Sequence, residues 1–193
     1  YCESKGLTHK PKLVAVTGLG QSSGVSTTAV GLARALSVTG DGNVLLVDMT
    51  PGQHSSHHFH RGQVSQDLDE LLDSSIPSQP TGAQALKVVG GGDRDEFTRQ
   101  LPRQFGRLLP KLQASDFDFI IFDMPPVTQI SITPRVASFM DVVLMVVESE
   151  KTSAKSVEAA GSLLERSGAS MGLVLNKNRP YVPTFLYPSA DLI

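Results

Sequence analysis

The chain has 193 residues, 40% hydrophobic and 19% charged, which suits one globular domain with a sizeable core. A formal net charge of −2 supplies no global basic field for nucleic acid or anionic lipid, and the single cysteine, Cys2, excludes an internal disulfide framework and points to a reducing, cytoplasmic setting. No apolar run approaches the ~20 residues that cross a bilayer, no secretory signal opens the chain, and a start at Tyr1 rather than Met reads as a piece of a longer protein whose membrane anchor, if any, lies elsewhere.

In chain order, residues 12–17 (Lys-Leu-Val-Ala-Val-Thr) read as a strand, and a glycine-rich turn, Gly-Leu-Gly-Gln-Ser-Ser-Gly, follows at 18–24. A helix is expected from Val25 to Val38, with Val30, Leu32, Ala33 and Leu36 at helical spacing. Residues 43–48 form an almost wholly apolar run ending in Asp48, the pattern of a parallel strand buried on both faces. A polar loop runs from Pro51 to Gly62, and Ser65 caps a short helix with Leu68, Leu71 and Leu72 on one face. The segment 85–92 is a strand closed by glycines, and residues 95–113 form a helix carrying Phe97, Leu101, Phe105, Leu108, Leu109 and Leu112. Phe-Asp-Phe-Ile-Ile-Phe-Asp (117–123) is a second buried strand ending in an aspartate, Asp123, and residues 141–149 are a third. A helix over 154–167 has Gly168 as its C′ residue, and residues 171–177 are the last strand. The segments 1–11 and 179–193 flank a single domain over 1–193 without internal repeat.

Buried apolar strands alternating with helices predict an α/β fold: a doubly wound, mostly parallel sheet with helices on both faces. The segments at 13–17, 44–48, 118–123 and 142–147 are the most apolar and are expected side by side in its centre. Ligands of such sheets bind outside the carboxyl ends of the strands, so Thr17 and its loop, Asp48 and Asp123 should converge on one crevice.

A phosphate-binding loop needs glycines to turn backbone N–H groups inward, a helix N-terminus, a lysine and a magnesium-binding hydroxyl. Gly20 and Gly24 supply the turn, and Ser26 and Thr27 stand at the hydroxyl positions. Val25 occupies the lysine position, and Leu19 that of the first glycine. A plain strand–helix turn reads these residues equally well, until Asp48 and Asp123 are added at the ends of two buried strands.

With those residues in place the chain resembles the cytoplasmic domain of the bacterial tyrosine kinases (BY-kinases) of exopolysaccharide and capsule export systems, relatives of the deviant-Walker partitioning ATPases. The resemblance runs from about Lys12 to Pro183, through Val-Leu-Leu-Val-Asp-Met-Thr (44–50), the 86–92 segment with its helix, Phe-Asp-Phe-Ile-Ile-Phe-Asp-Met-Pro-Pro-Val (117–127), and the closing strand–helix–strand at 141–177. It implies a P-loop NTPase-like fold and places Asn176 near the adenine. The degenerate nucleotide site it implies comprises Gly20, Gly24, Ser26, Thr27, Asp48, Asp123 and Asn176.

The chain also departs from the family pattern. Val25 replaces the loop lysine, and Thr50 and Gly52 replace the later aspartate and arginine of the second aspartate motif. No Glu-x-x-Arg-x-x-Arg assembly motif precedes Lys12, and only Tyr181 and Tyr187 remain of a tail tyrosine cluster. These losses imply a pseudokinase-like domain with no catalytic residue and no resident metal. ATP or ADP with magnesium is then a cofactor only so far as the degenerate site still binds it. The implied partners are other subunits or domains of a polysaccharide synthesis and export complex, or further copies of the chain, at the inner face of the bacterial inner membrane. Two rivals are an active autokinase with a substitute lysine (Lys12, Lys177 or one from a neighbouring subunit) and a partitioning-type ATPase. The histidines at 54, 57, 58 and 60 read as a solvated turn rather than a metal site, and Lys151 and Lys155 as a solvated helix start.

Overall fold

The computed structural model describes residues 11–39, 42–49, 68, 86–90, 105–128 and 131–178. Six strands form one sheet: β1 (Lys12–Gly18), β2 (Val44–Asp48), β3 (Leu86–Gly90), β4 (Phe119–Asp123), β5 (Val142–Glu148) and β6 (Met171–Asn176), in the order β3-β2-β4-β1-β5-β6. Every pairing is parallel. Among the described residues the longer helices are α1 (Val25–Val38), α2 (105–113), α3 (Thr133–Val136), which runs into a 3-10 turn at Ala137–Phe139, and α4 (Ala154–Glu165).

Strand alternation sorts the core into two layers, because successive side chains leave opposite faces of the sheet. Leu13, Ala15, Leu45, Val47, Ile120, Phe122, Val143 and Met145 face α2, α3 and α4. Val14, Val16, Val44, Leu46, Ile121, Val142 and Val146 face Ala29, Val30 and Ala33 of α1. Both faces are covered, which is why the four central strands read as unbroken apolar runs. The four segments expected in the centre are adjacent there. Phe105 of α2 stacks obliquely between Phe122 and Phe139, with ring centroids 5.8 and 5.1 Å away.

Chain order reverses at β1. The chain leaves it for β2 and β3 on one side, returns to β4 between β1 and β2, then continues to β5 and β6 on the other. The carboxyl ends of β1 and β4 therefore flank the crevice where such sheets bind ligands.

The element boundaries differ from the sequence reading in small ways. β1 is one residue longer, through Gly18, and α4 ends at Glu165, followed by a turn in which Gly168 takes a left-handed φ of 78°. Ser153 caps α4 by accepting a hydrogen bond from the Ser156 amide at 3.1 Å. The α3 and 3-10 turns went unread, because seven residues opened by Thr133-Pro134 are too short to show a helical period. Leu68 is helical and buried as expected, while the rest of its helix, residues 95–104, Thr50, Gly52, the histidines at 54–60, Cys2, Tyr181 and Tyr187 lie outside the described residues.

Candidate functional site

The turn after β1 is built by crowding. A Cβ on Gly18 would stand 2.5 Å from Ser23 Oγ, 2.8 Å from Val25 Cγ2 and 3.2 Å from the Val146 carbonyl oxygen, so only glycine fits. Ser23 is buried and its hydroxyl donates to the Gly20 carbonyl at 3.1 Å. Ser22 and Gly24 both take left-handed φ values, 65° and 92°. That is routine for glycine and strained for serine. Gly20 has open space where its Cβ would be and no left-handed φ, so the glycines that shape the turn are Gly18 and Gly24 rather than Gly20 and Gly24. Gly24 then caps α1, with its carbonyl accepting from the Thr28 amide at 2.9 Å and the Thr28 hydroxyl at 2.8 Å.

Val25 opens α1 and packs against the α1-side core, with Cγ2 pressed toward Gly18. An apolar side chain thus leans back on the base of the loop where the family pattern places an ammonium. Ser26 beside it is half-buried and Thr27 is exposed. No acidic residue occupies the first turn of α1, so no carboxylate competes there for the helix N-terminus.

Across the crevice, parallel pairing aligns Asp48 with Asp123, and Asp123 with Val16 of β1. Both aspartates are buried, Asp123 to 1% exposure. Neither carboxylate oxygen of Asp123 has a partner in hydrogen-bond geometry among the described residues. Burial pushes its pKa from 3.8 up to about 7; the Ser26 hydroxyl pulls it down and the charge of Asp48 pushes it further up. A buried acceptor of this kind has lost its hydration without replacement. A hydrated divalent cation carries both the charge and the water donors that Asp123 lacks, so Asp123, Ser26 and Asp48 fit magnesium.

The peptide after Asp123 ties the two walls together. Thr17 Oγ1 and Thr133 Oγ1 both donate to the Pro125 carbonyl, at 2.7 and 2.8 Å, and the Val127 amide donates to the Gly18 carbonyl at 2.8 Å. Leu19, at the first-glycine position, lines a groove of about 300 Å³ with Val127, Leu163 and Arg166.

The end of β6 reaches the same loop. Asn176 Nδ2 donates to the Ser23 carbonyl at 2.9 Å, and Lys177 Nζ donates to the Ser22 carbonyl. Glu148 holds Lys177 at 3.2 Å and Lys151 at 2.8 Å, and these two ammonium groups keep its carboxyl below the usual glutamate range, Lys151 most. Lys12, the other internal candidate for a substitute lysine, begins β1 while the loop follows its end, about 20 Å away at ~3.3 Å per residue, and is excluded. The structure brings Gly20, Gly24, Ser26, Asp48, Asp123 and Asn176 to one crevice. Sequence reasoning missed Gly18 and Ser23, although Gly18 sits in the first strand–turn junction, where close packing is common. Among the described residues no group of three His, Cys, Asp or Glu is placed to hold a metal by itself.

No family model matches the chain. It is 26% identical over 181 residues to the tyrosine-protein kinase CpsD of Streptococcus agalactiae, across 90% of this chain and 79% of that protein. It is 25% identical over 171 residues to the tyrosine-protein kinase ptk of Acinetobacter johnsonii, across 85% of this chain but 23% of ptk. Its fold superposes on the kinase domain of the Escherichia coli tyrosine kinase ETK with a TM-score of 0.72 at 22% identity, covering 96% of this chain and 76% of that one. The septum site-determining protein MinD of Pyrococcus horikoshii, solved with Mg-ADP, superposes with a TM-score of 0.62 at 18% identity over 86% of this chain and 70% of MinD. By sequence and fold together, the chain is a relative of the bacterial tyrosine kinases, built on the P-loop fold they share with MinD-type ATPases.

Proposed function

We propose that this chain is a bacterial-tyrosine-kinase-like domain that has lost phosphoryl transfer and acts by binding, as a scaffold or regulator of polysaccharide synthesis and export at the inner face of the bacterial inner membrane. The observation that carries the reading is Val25. It stands at the lysine position and is spent on packing against Gly18 and the core. Phosphoryl transfer depends on positioning and charge neutralisation at the terminal phosphates, and valine offers neither charge nor donor. Thr50 and Gly52 remove two further polar positions from the second aspartate motif.

Binding is a lesser demand than transfer. Ser26, Asp123 and Asp48 would hold the hydrated magnesium of a bound nucleotide, and that cation would neutralise phosphate charge. The loop amides and the N-terminus of α1 would face the phosphates. Losing one charge-assisted hydrogen bond weakens affinity about 10- to 150-fold. ATP affinity no better than roughly millimolar, about −4 kcal/mol, is therefore expected. Lys177 supports a second reading, an active autokinase with a substitute lysine, because its ammonium already touches the loop.

A titration with ATP and ADP, with and without magnesium, beside a phosphotyrosine assay, separates the two. The native chain should show weak binding and no autophosphorylation. Val25→Lys should gain at least about tenfold in ATP affinity, within the range for one charge-assisted bond, without gaining kinase activity. Micromolar binding or robust autophosphorylation by the native chain overturns the loss of transfer.

A further inference from the structure

The two bonds from the end of β6 take neighbouring carbonyls of the loop. Lys177 takes that of Ser22 and Asn176 that of Ser23. A trans peptide is planar, with its C=O and N–H pointing opposite ways. The Ser22 carbonyl shares its peptide with the Ser23 amide, and the Ser23 carbonyl shares its peptide with the Gly24 amide. Drawing both carbonyls toward β6 therefore turns both amides away from β6. In the sheet, β6 lies on one side of β1, and β4, which ends in Asp123, on the other.

The clamp also stabilises an otherwise poor backbone. Ser22 at φ 65° and Lys177 at φ 55° are non-glycine residues in the left-handed region, and each contributes one end of the same contact. Asn176 fills the space a Cβ on Gly24 would need, so loop and strand end fit each other. Glu148 at the end of β5 pairs with the lysine ammonium. At the start of the same helix the Ser26 hydroxyl acts on Asp123, which is buried to 1% exposure with neither oxygen in hydrogen-bond geometry to a described residue, so the loop adjoins a carboxyl that a ligand-borne donor would satisfy.

We propose that Asn176 and Lys177 are positioning residues: they set the Ser23 and Gly24 amides as a nest for a phosphate-type anion, so the loop keeps phosphate recognition although Val25 replaces the lysine. The proposal deepens the reading of the loop as an altered phosphate site and rests on it. Two adjacent inward amides at the start of a 14-residue helix form such a nest. The lysine acts through the backbone, from the carbonyl side of the loop.

The test is an amide chemical-shift titration of the isotope-labelled chain with inorganic diphosphate and, separately, with ATP. In the native chain the Ser23 and Gly24 signals should shift with either ligand, with a low-millimolar dissociation constant for diphosphate. Lys177→Met should weaken diphosphate at least about fivefold, the size of one lost hydrogen bond. Lys177→Arg, which keeps a donor for the Ser22 carbonyl, should stay within about twofold of native by the same argument. Asn176→Ala should weaken it similarly, and if that variant fails to fold, the exposed Lys177 still carries the test. Equal affinity of the native chain and Lys177→Met overturns the proposal. So do Ser23 and Gly24 signals silent to saturating diphosphate, including the case where ATP alone moves them. Failure of the wider reading appears elsewhere, as phosphotyrosine on the native chain, so the two failures are distinguishable.

Discussion

The two ends of the sheet both carry buried or half-buried aspartates and use them in opposite ways. At the amino ends, Asp118 Oδ2 accepts the Asn43 amide at 2.7 Å and Asp141 Oδ2 accepts the Leu13 amide at 2.8 Å. These carboxylates stitch incoming loops to neighbouring strands. At the carboxyl ends, Asp123 has no backbone amide in hydrogen-bond geometry among the described residues and only the Ser26 hydroxyl acting on it, although it is the more deeply buried. One end answers its carboxylates with backbone amides; the other buries a carboxyl without one. A buried acceptor without a donor costs stability, so its retention in an otherwise well-satisfied sheet is the mark of a binding end.

The largest effect that can break this contrast is pH dependence. Asp123 has a folded pKa raised from 3.8 to about 7, chiefly by burial. Between those values the native state holds a proton that the unfolded chain has released. The stability this group contributes is therefore complete below about pH 4 and lost as pH rises through 7. Three units at ~1.36 kcal/mol each give a loss of about 4 kcal/mol across that window. Denaturant unfolding in EDTA from pH 4 to 8 should show it, and Asp123→Asn should remove that component. Magnesium at pH 8 should recover part of the loss in the native chain and none in Asp123→Asn. Identical pH slopes for the two proteins would show that the charge at Asp123 is compensated.

The amino end should behave in the opposite sense. Asp141→Ala removes the carboxylate acceptor of an amide whose residue, Leu13, is 3% exposed. A hydrogen bond to a charged group contributes about 1.5–3 kcal/mol, and a loss of that size is expected. Magnesium should leave it unchanged. A magnesium response in Asp141→Ala would blur the division between a structural end and a binding end.

The sequence carried most of the scaffold and only part of the site. Buried parallel strands print themselves as apolar runs, so β1, β2, β4 and β5 and their adjacency were readable, as were Asp48 and Asp123 at strand ends. Crowding leaves no such print. Gly18 looked like the first residue of a flexible turn, yet it is held by Ser23, Val25 and the β5 backbone. The clamp joins Ser22 to Lys177 and Ser23 to Asn176, contacts between residues 155 and 153 positions apart, which no local pattern encodes. The ionisation of Asp123 depends on the dryness of its surroundings, a property of the packed sheet rather than of its neighbours in sequence.

The smallest effect tests whether the binding end has a framework of its own. Thr17 and Thr133 are fully buried and both donate to the Pro125 carbonyl, two residues after Asp123. Thr17 belongs to the strand that launches the loop, so this shared carbonyl sets the distance between the loop wall and the acidic wall. Replacing either hydroxyl by a methyl, Thr17→Val or Thr133→Val, keeps the volume and removes one donor. The carbonyl keeps its other partner, so each single change should cost only about 0.5–1.5 kcal/mol. The double variant strips the carbonyl and adds its desolvation, so its loss should exceed the sum of the singles by about 1 kcal/mol, measured by denaturant unfolding in a double-mutant cycle. Simple additivity would mean that water replaces the hydroxyls and that the two walls are not joined there. Coupling would mean that the end of the sheet that leaves Asp123 without a backbone donor is nonetheless braced by neutral hydroxyls, and that the buried carboxyl sits in a fixed frame rather than in a loosened one.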